Sequence, residues 1–300
     1  MVMEPVKKIL ITGSTGSIGH LLMRSLELCK NYEIYTLDRD KSRSLLSGRS
    51  ASHCFDWDDV YCSRLPLARI DCVVHLASAR YHHSAEQVAQ SLESTIKLFC
   101  MASREGVTEI INMSSQSVYG DCADSPWRES MKVTPSTLYA QSKYAAELLL
   151  GNLSETYPML NHTSIRLSSV TGMYPRVIES DAIAKIAMKM KSNFPVTIYG
   201  GSQVIERIHI EDVINALVKL IESNSSEWNG IYNLGSGTVS PLDEIVMRLA
   251  KVAESKYAYD LSLIKKASIG EYQVHSGYVD SALFQSDFQW LPCRSWEDLI

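Results

Sequence analysis

Tyr139 and Lys143 stand four residues apart in the stretch LYAQSKYAAE, Leu138–Glu147. On an α-helix that spacing puts a phenol and an ammonium on one face, one turn apart. Two readings fit. One is a half-exposed helix with an aromatic at its edge and a solvated lysine; the other is a proton-transfer pair in which the cation tunes the phenol. The pattern is short, and spacing alone does not separate them. Ser115 adds a hydroxyl. It follows EIINMS (Glu109–Ser114), which reads as a buried strand, and a serine at the carboxyl end of such a strand faces the crevice where ligands of open α/β sheets bind.

A second cluster lies near the start of the chain. ILITGSTGSIGHLL carries Gly13, Gly16 and Gly19 between a β-branched run, Lys7–Thr12, and a helical stretch from Ser17 to Cys29. In that strand–turn–helix setting Gly13 permits the tight turn, Gly16 admits backbone amides to a pyrophosphate, and Gly19 lets the helix pack on the strand. The helix N-terminus offers free N–H groups and partial positive charge to the anion. The loop predicted to cradle a dinucleotide is therefore Gly13, Ser14, Thr15, Gly16, Ser17, Ile18 and Gly19. Asp38 ends the next strand, Glu33–Leu37, at the distance where a carboxylate accepts the ribose hydroxyls and repels a 2′-phosphate, which favours NAD. Arg39 beside it is the competing signal, because a guanidinium there can bind a 2′-phosphate.

The elements that must position these groups alternate. Asp71–Ala77 reads as a strand, Ala85–Arg104 as a long helix, Ser136–Glu155 as a helix and Thr163–Ser169 as a strand. Near-continuous apolar strands between amphipathic helices imply a parallel sheet covered on both faces. After Gly172 the elements shorten. Helices fit Asp181–Lys191, Glu211–Glu222 and Leu242–Glu254, Gly230–Gly237 reads as one more strand, and the tail from Tyr257 is mixed.

Composition bounds the rest. A net charge of −5 gives no reason to expect nucleic acid as a partner. Seven cysteines, an odd count with no Cys-x-x-Cys pair, point to free thiols in a reducing compartment, and no metal site is expected. The N-terminal apolar run is too short for a signal peptide or a membrane span, so a cytoplasmic protein that does not bind membranes is the expectation.

In sequence order, TGSTGSIG, LDRD, FDW (Phe55–Trp57), VVHLAS (Val73–Ser78), SSQSVYG, YAQSK, YGGSQ (Tyr199–Gln203), IHIEDV (Ile208–Val213) and YNLGSG (Tyr232–Gly237) resemble the extended short-chain dehydrogenase/reductase family, in particular its nucleotide-sugar epimerases, dehydratases and ketoreductases. The resemblance spans nearly the whole chain. It implies a doubly wound parallel Rossmann sheet over residues 1–172 and 205–236, with a smaller α/β substrate domain over 173–204 and 237–300. It implies Tyr139 as acid/base, Lys143 beside the phenol and the nicotinamide ribose, and Ser115 on the substrate oxygen. An unperturbed phenol, near pKa 10, is too high for a base at neutral pH, and a nearby Lys143 ammonium together with the positive nicotinamide ring would favour the phenolate. Asp56 and Trp57 would lie at the adenine, and His75, Leu76, Ala77 and Ser78 along the pyrophosphate and nicotinamide ribose. His75 and His209 read as satisfied core histidines, and Arg80 as a cavity-lining candidate. Many relatives pair through the helices around Tyr139 and Ala85–Arg104, so a homodimer is expected.

The chain departs from the family at telling positions. The dehydratases' Asp-Glu pair is Gln116 and Ser117 here. The sixth strand continues as SVTGMYPR, with Ser169 in a usual Asn position, and Ile205 stands where an arginine usually grips the diphosphate. Arg207 or Arg176 is the expected replacement cation. The implied function is an NAD-dependent epimerase or 4-ketoreductase of a nucleotide-activated sugar. The alternatives are a dehydrogenase of a free sugar, uronate or other small hydroxy compound, and a non-catalytic dinucleotide-binding regulator.

Overall fold

The computed structural model describes residues 6–29, 31–42, 50–120, 125–179, 181–268 and 277–300. The chain forms two compact units. One comprises Met1–Gly120, Lys132–Arg166 and Ala216–Tyr232, the other Asp121–Met131, Leu167–Asn215 and Asn233–Ile300.

In the first, β1 (Lys7–Thr12) leads into α1 (Ser17–Leu28), then β2 (Tyr32–Asp38), β3 (Cys54–Asp56), α2 (Trp57–Tyr61), β4 (Cys72–His75), α3 (Ala85–Arg104), β5 (Glu109–Ser115), α4 (Leu138–Thr156) and β6 (Asn161–Leu167). Ile9, Leu10 and Ile11 are all buried, as a parallel strand covered on both faces requires. Strand β1 pairs in parallel with β2 and β4, β2 with β3, and β4 with β5. Strand residues Leu10, Leu37, Val73 and Ile110 share one core with Phe99 of α3 and Leu150 of α4. With β11 (Ile231–Leu234), the seven-stranded order is β11-β6-β5-β4-β1-β2-β3. The order reverses between β1 and β4, and a doubly wound sheet opens its ligand crevice at such a switch point. This is the predicted fold class.

The helix starts follow from their caps. Ser84 and Gln87 form a reciprocal capping box at α3. Thr137 Oγ1 accepts from the Ala140 amide at 3.1 Å and begins α4, so Tyr139 lies in that helix's first turn. The approach to α4 is pinned to the end of β5 through Gly120. Its φ of +62° and ψ of −132° belong to glycine, and an added Cβ would sit 1.8 Å from the Thr134 carbonyl oxygen. Thr134 Oγ1 in turn donates to the Tyr119 carbonyl at 2.9 Å.

In the second unit β7 (Val170–Thr171), α5 (Pro175–Ile178), α6 (Ala182–Lys191), β8 (Val196–Tyr199), β9 (Val204–Glu206) and β10 (Ile208–His209) precede α7 (Ile210–Glu222). Later come β12 (Val239–Pro241), α8 (Leu242–Tyr257), β13 (Ile264–Ala267) and α9 (Ala282–Phe288). Its core joins Ile183 and Met190 of α6, Ile198 of β8, Ile245 and Leu249 of α8, and Trp296 and Leu299 from the tail. The tail that reads as mixed thus supplies a strand parallel to β8 and the lid of this core. Asp181 caps α6, accepting from the Ala184 amide at 2.9 Å. Buried Glu206 accepts from Ser168 Oγ and from the amides of Gly237 and Val279, which ties the end of the β6 segment to two later turns.

Gly120→Ala is expected to lower stability by about 2–4 kcal/mol, because the new Cβ needs both an unfavourable φ and displacement of Thr134. Urea unfolding of the variant checks it; an unchanged midpoint would show that this turn does not hold β5 against α4.

Candidate active site

The glycine loop is built from both ends. Gly13, with φ of +71°, donates its amide to the Leu37 carbonyl at 2.9 Å. Thr12 and His75 are register partners at the carboxyl ends of β1 and β4. Thr12 Oγ1 accepts from the amides of Leu76 and Ala77 at 3.1 and 3.0 Å, so the segment leaving β4 is tied to the loop leaving β1. At Gly19 an added Cβ would lie 2.3 Å from the Gly13 oxygen, the close helix–strand approach expected of the third glycine. Helix α1 begins at Gly16 with no side-chain cap and no acid in its first turn. Its leading N–H groups are left for an anion.

Asp38 is 3% exposed and already engaged. Its carboxylate accepts from Ser14 Oγ at 2.5 Å, from the Thr15 amide at 3.1 Å and from Thr15 Oγ1 at 3.2 Å. The residue expected at the ribose therefore also fixes the phosphate loop. Asp56 is the register partner of Asp38 on β3, caps α2 and pairs with Lys41 at 3.0 Å. Trp57 is half-buried against the main core. Arg39, Ser78 and Arg80 are exposed, and the Arg80 amide donates to His83 Nδ1. An uncapped helix end, a glycine cradle and a carboxylate at the end of β2 fit a dinucleotide.

Ser115, Tyr139 and Lys143 come together in the first unit. The Ser115 hydroxyl accepts from the amide and hydroxyl of Ser117, and it acts to lower the pKa of the neighbouring Tyr139 phenol. Lys143 is 6% exposed, with its Nζ 5.8 Å from the Tyr139 ring centroid and donating to the Met113 carbonyl at 2.6 Å. Burial lowers its pKa to about 8, while the Glu147 carboxylate works in the opposite direction. For Tyr139 the sequence suggests a phenol lowered by Lys143. In the chain without cofactor, burial raises it above its usual value, opposed by the Ser115 hydroxyl and the Arg80 charge. In the chain alone this phenol keeps its proton at neutral pH.

Of the expected cations, Arg207 is already partnered. Its Nε meets Asp181 Oδ1 at 3.2 Å and its Nη1 donates to the Glu206 carbonyl at 2.8 Å. The backbone of Arg176 falls in α5; its side chain lies outside what the structure describes. Ser169 accepts the Ile208 amide through its carbonyl. His75 is satisfied at both nitrogens, by Thr12 Oγ1 at 3.0 Å and Thr95 Oγ1 at 3.1 Å. A cleft of about 270 Å³ in the second unit, lined by Met173, Tyr174, His209, Glu211, Arg294 and Asp298, holds none of the expected site residues. Among the described residues no cluster of acids, histidines and cysteines could hold a metal ion, and no helix is long and apolar enough to cross a membrane.

Sequence reasoning passed over the groups beneath this site. Glu147 and Arg166 form a buried pair at 2.8 Å, and Ser114 donates to the same carboxylate. The signal was present: Glu147 continues the four-residue spacing of Tyr139 and Lys143, and Arg166 interrupts an apolar strand.

The chain belongs to the NAD-dependent epimerase/dehydratase family, whose model matches residues 9–235, and NAD is the cofactor of that family. It is 24% identical to a dTDP-glucose 4,6-dehydratase of Neisseria gonorrhoeae, over 99% of this chain and 94% of that one. It is 24% identical to a UDP-glucose 4-epimerase of Pasteurella multocida, over 97% and 95% of the two chains. The crystal structure of a UDP-glucuronic acid 4-epimerase from Bacillus cereus, in complex with UDP-glucuronic acid and NAD, shares the fold with a TM-score of 0.79 at 21% identity, covering 97% of this chain and 96% of that one.

Burial and the Lys143 charge hold His75 down to about pKa 3, against an ordinary 6.5. The unfolded chain takes up this proton first, so the contribution is whole above about pH 6.5 and is lost as pH falls toward 3, by up to roughly 5 kcal/mol. His75→Gln is expected to narrow the gap between urea midpoints at pH 7 and pH 4.5. An unchanged gap would place the acid sensitivity elsewhere.

Proposed function

We propose that this chain is an NAD-dependent epimerase or 4-ketoreductase of a nucleotide-activated sugar, with Ser115, Tyr139 and Lys143 at the reacting atoms. The observation that carries the reading is the placement of Ser115 at the carboxyl end of β5, Tyr139 in the first turn of α4, and the Nζ of buried Lys143 5.8 Å from the Tyr139 ring centroid.

The residues assigned to NAD are the loop Gly13–Gly19 at the pyrophosphate, Asp38 with Arg39 at the adenosine ribose, Asp56 and Trp57 at the adenine, and Leu76, Ala77, Ser78 and Lys143 toward the nicotinamide side. Bound NAD supplies the hydride acceptor and a positive ring. Ser115 holds the substrate oxygen. Tyr139, protonated in the chain alone, gives up its proton only where further positive charge offsets its burial, and then takes the proton of the substrate hydroxyl. Lys143 orients the phenol and opposes negative charge on it. An epimerase and a ketoreductase use these same groups, the second in one direction only. Gln116 and Ser117 offer no carboxylate to move protons at sugar carbons, which speaks against dehydration.

A specific observation favours a second reading. With Ser169 and Ile205 in place of the family's Asn and Arg, Arg207 was the first and Arg176 the second expected diphosphate cation, and the Arg207 guanidinium is tied to Asp181 and the Glu206 carbonyl. A substrate without a diphosphate, such as a free sugar or uronate, makes no demand on that charge.

Two measurements decide. Tyr139→Phe is expected to cut turnover of the identified substrate roughly a hundredfold or more while leaving NAD affinity intact; full activity would sink the role of the phenol. Calorimetric titration of the NAD-loaded protein with UDP, dTDP and GDP is expected to give binding by at least one nucleotide. Binding by none at millimolar concentration moves the assignment to the free-sugar dehydrogenase.

A further inference from the structure

Tyr139, Lys143 and Glu147 share one face of α4, each a turn from the next. Glu147 is 6% exposed and Arg166 of β6 is 2% exposed. Arg166 donates to both carboxylate oxygens, from Nη2 to Oε2 at 2.8 Å and from Nε to Oε1 and Oε2 at 3.2 and 3.3 Å. Its other arm turns away, with Nη1 donating to Tyr119 Oη at 3.1 Å and the guanidinium 4.9 Å above that ring's centroid. Ser114 Oγ completes the shell on Glu147.

A buried pair of this kind is weak evidence for stability, since well-packed apolar residues in its place are often neutral or better. What apolar residues could not provide is a fixed field. The negative end of the pair lies one helical turn from Lys143, and its positive end reaches toward Tyr119. Among the described residues, the other groups around Lys143 do not compensate its charge. His75 from β4 is kept neutral, Tyr139 on the same helix holds its proton, and the Met113 carbonyl of β5 is a dipole only.

We propose that Glu147 is a positioning residue for Lys143, and that the Arg166–Glu147 pair is an oriented charge pair that keeps the buried Lys143 ammonium charged and on the Tyr139 face. The proposal rests on the reading of Lys143 as the group that serves Tyr139, but its test does not. Burial alone drives a lysine toward the neutral amine. The opposing carboxylate leaves Lys143 titrating at about 8, still mostly charged at neutral pH.

The test is NMR titration of the full chain carrying 13Cε-labelled lysine, with the Lys143 resonance identified by its loss in Lys143→Arg. Glu147→Gln is expected to lower the Lys143 midpoint by about one pH unit, the scale of a neighbouring charge. Arg166→Met is expected to raise it, because the carboxylate is no longer countered. Opposite directions are the signature of a field; loosened packing moves both the same way. Should Glu147→Gln fail to fold around an unpaired Arg166, the double variant Glu147→Gln/Arg166→Met removes both charges and is expected to lower the midpoint by less than a full unit. A midpoint unmoved in the folded variants, or lowered alike by the two single changes, overturns the proposal. NAD affinity followed against pH separates the two levels: a midpoint that moves while NAD binding ignores it upholds the charge pair and contradicts the role given to Lys143.

Discussion

A lysine ammonium removed from water is the constraint on which the site depends. Lys143 lies in the interior of the first unit, where its charge is disfavoured and its pKa is pulled down to about 8. The neighbourhood is arranged around that charge. The Met113 carbonyl accepts from it, His75 beside it stays neutral between two threonine hydroxyls, and the Glu147 carboxylate is itself buried and clamped by Arg166. Each group comes from a different strand or helix: β5, β4, α4 and β6. Strands β6, β5 and β4 are neighbours in the sheet, which brings their carboxyl ends together under α4. The charge is therefore a property of the fold, and Tyr139 experiences it because α4 starts where Thr137 caps it.

The cofactor side depends on a separate tie. Thr12 accepts from two amides beyond β4, Gly13 donates to the end of β2, and Asp38 binds back to Ser14 and Thr15. Three strand ends and the glycine loop are thereby one hydrogen-bonded assembly. A change at Asp38 would loosen the glycine loop as well as the ribose contact proposed for that carboxylate.

Local patterns made much of this legible. The β-branched run before Gly13, the glycines at their spacing and the Ala85–Arg104 periodicity each report a backbone shape, and the structure has a strand, a loop and a helix there. That Ser115, Tyr139 and Lys143 come together could be read from a serine at a strand's carboxyl end and a four-residue helical spacing. What escaped was non-local. Nothing near Glu147 in sequence announces that its partner is Arg166, nineteen residues on, and nothing near Arg207 announces Asp181. The downward pull on Lys143 and the upward push on Tyr139 come from burial, which a linear pattern does not reveal. In the tail, the strand at Ile264–Ala267 has exposed lysines at its centre and too little alternation to stand out.

In the proposed complex NAD lies along the loop Gly13–Gly19 with its nicotinamide end at Tyr139 and Lys143. A crystal structure of the chain soaked with NAD tests it most directly. The account predicts the pyrophosphate on the amides of Ser17–Gly19 and the nicotinamide ribose within hydrogen-bond distance of Lys143 Nζ and Tyr139 Oη. A dinucleotide bound with its nicotinamide ribose away from both residues would contradict it.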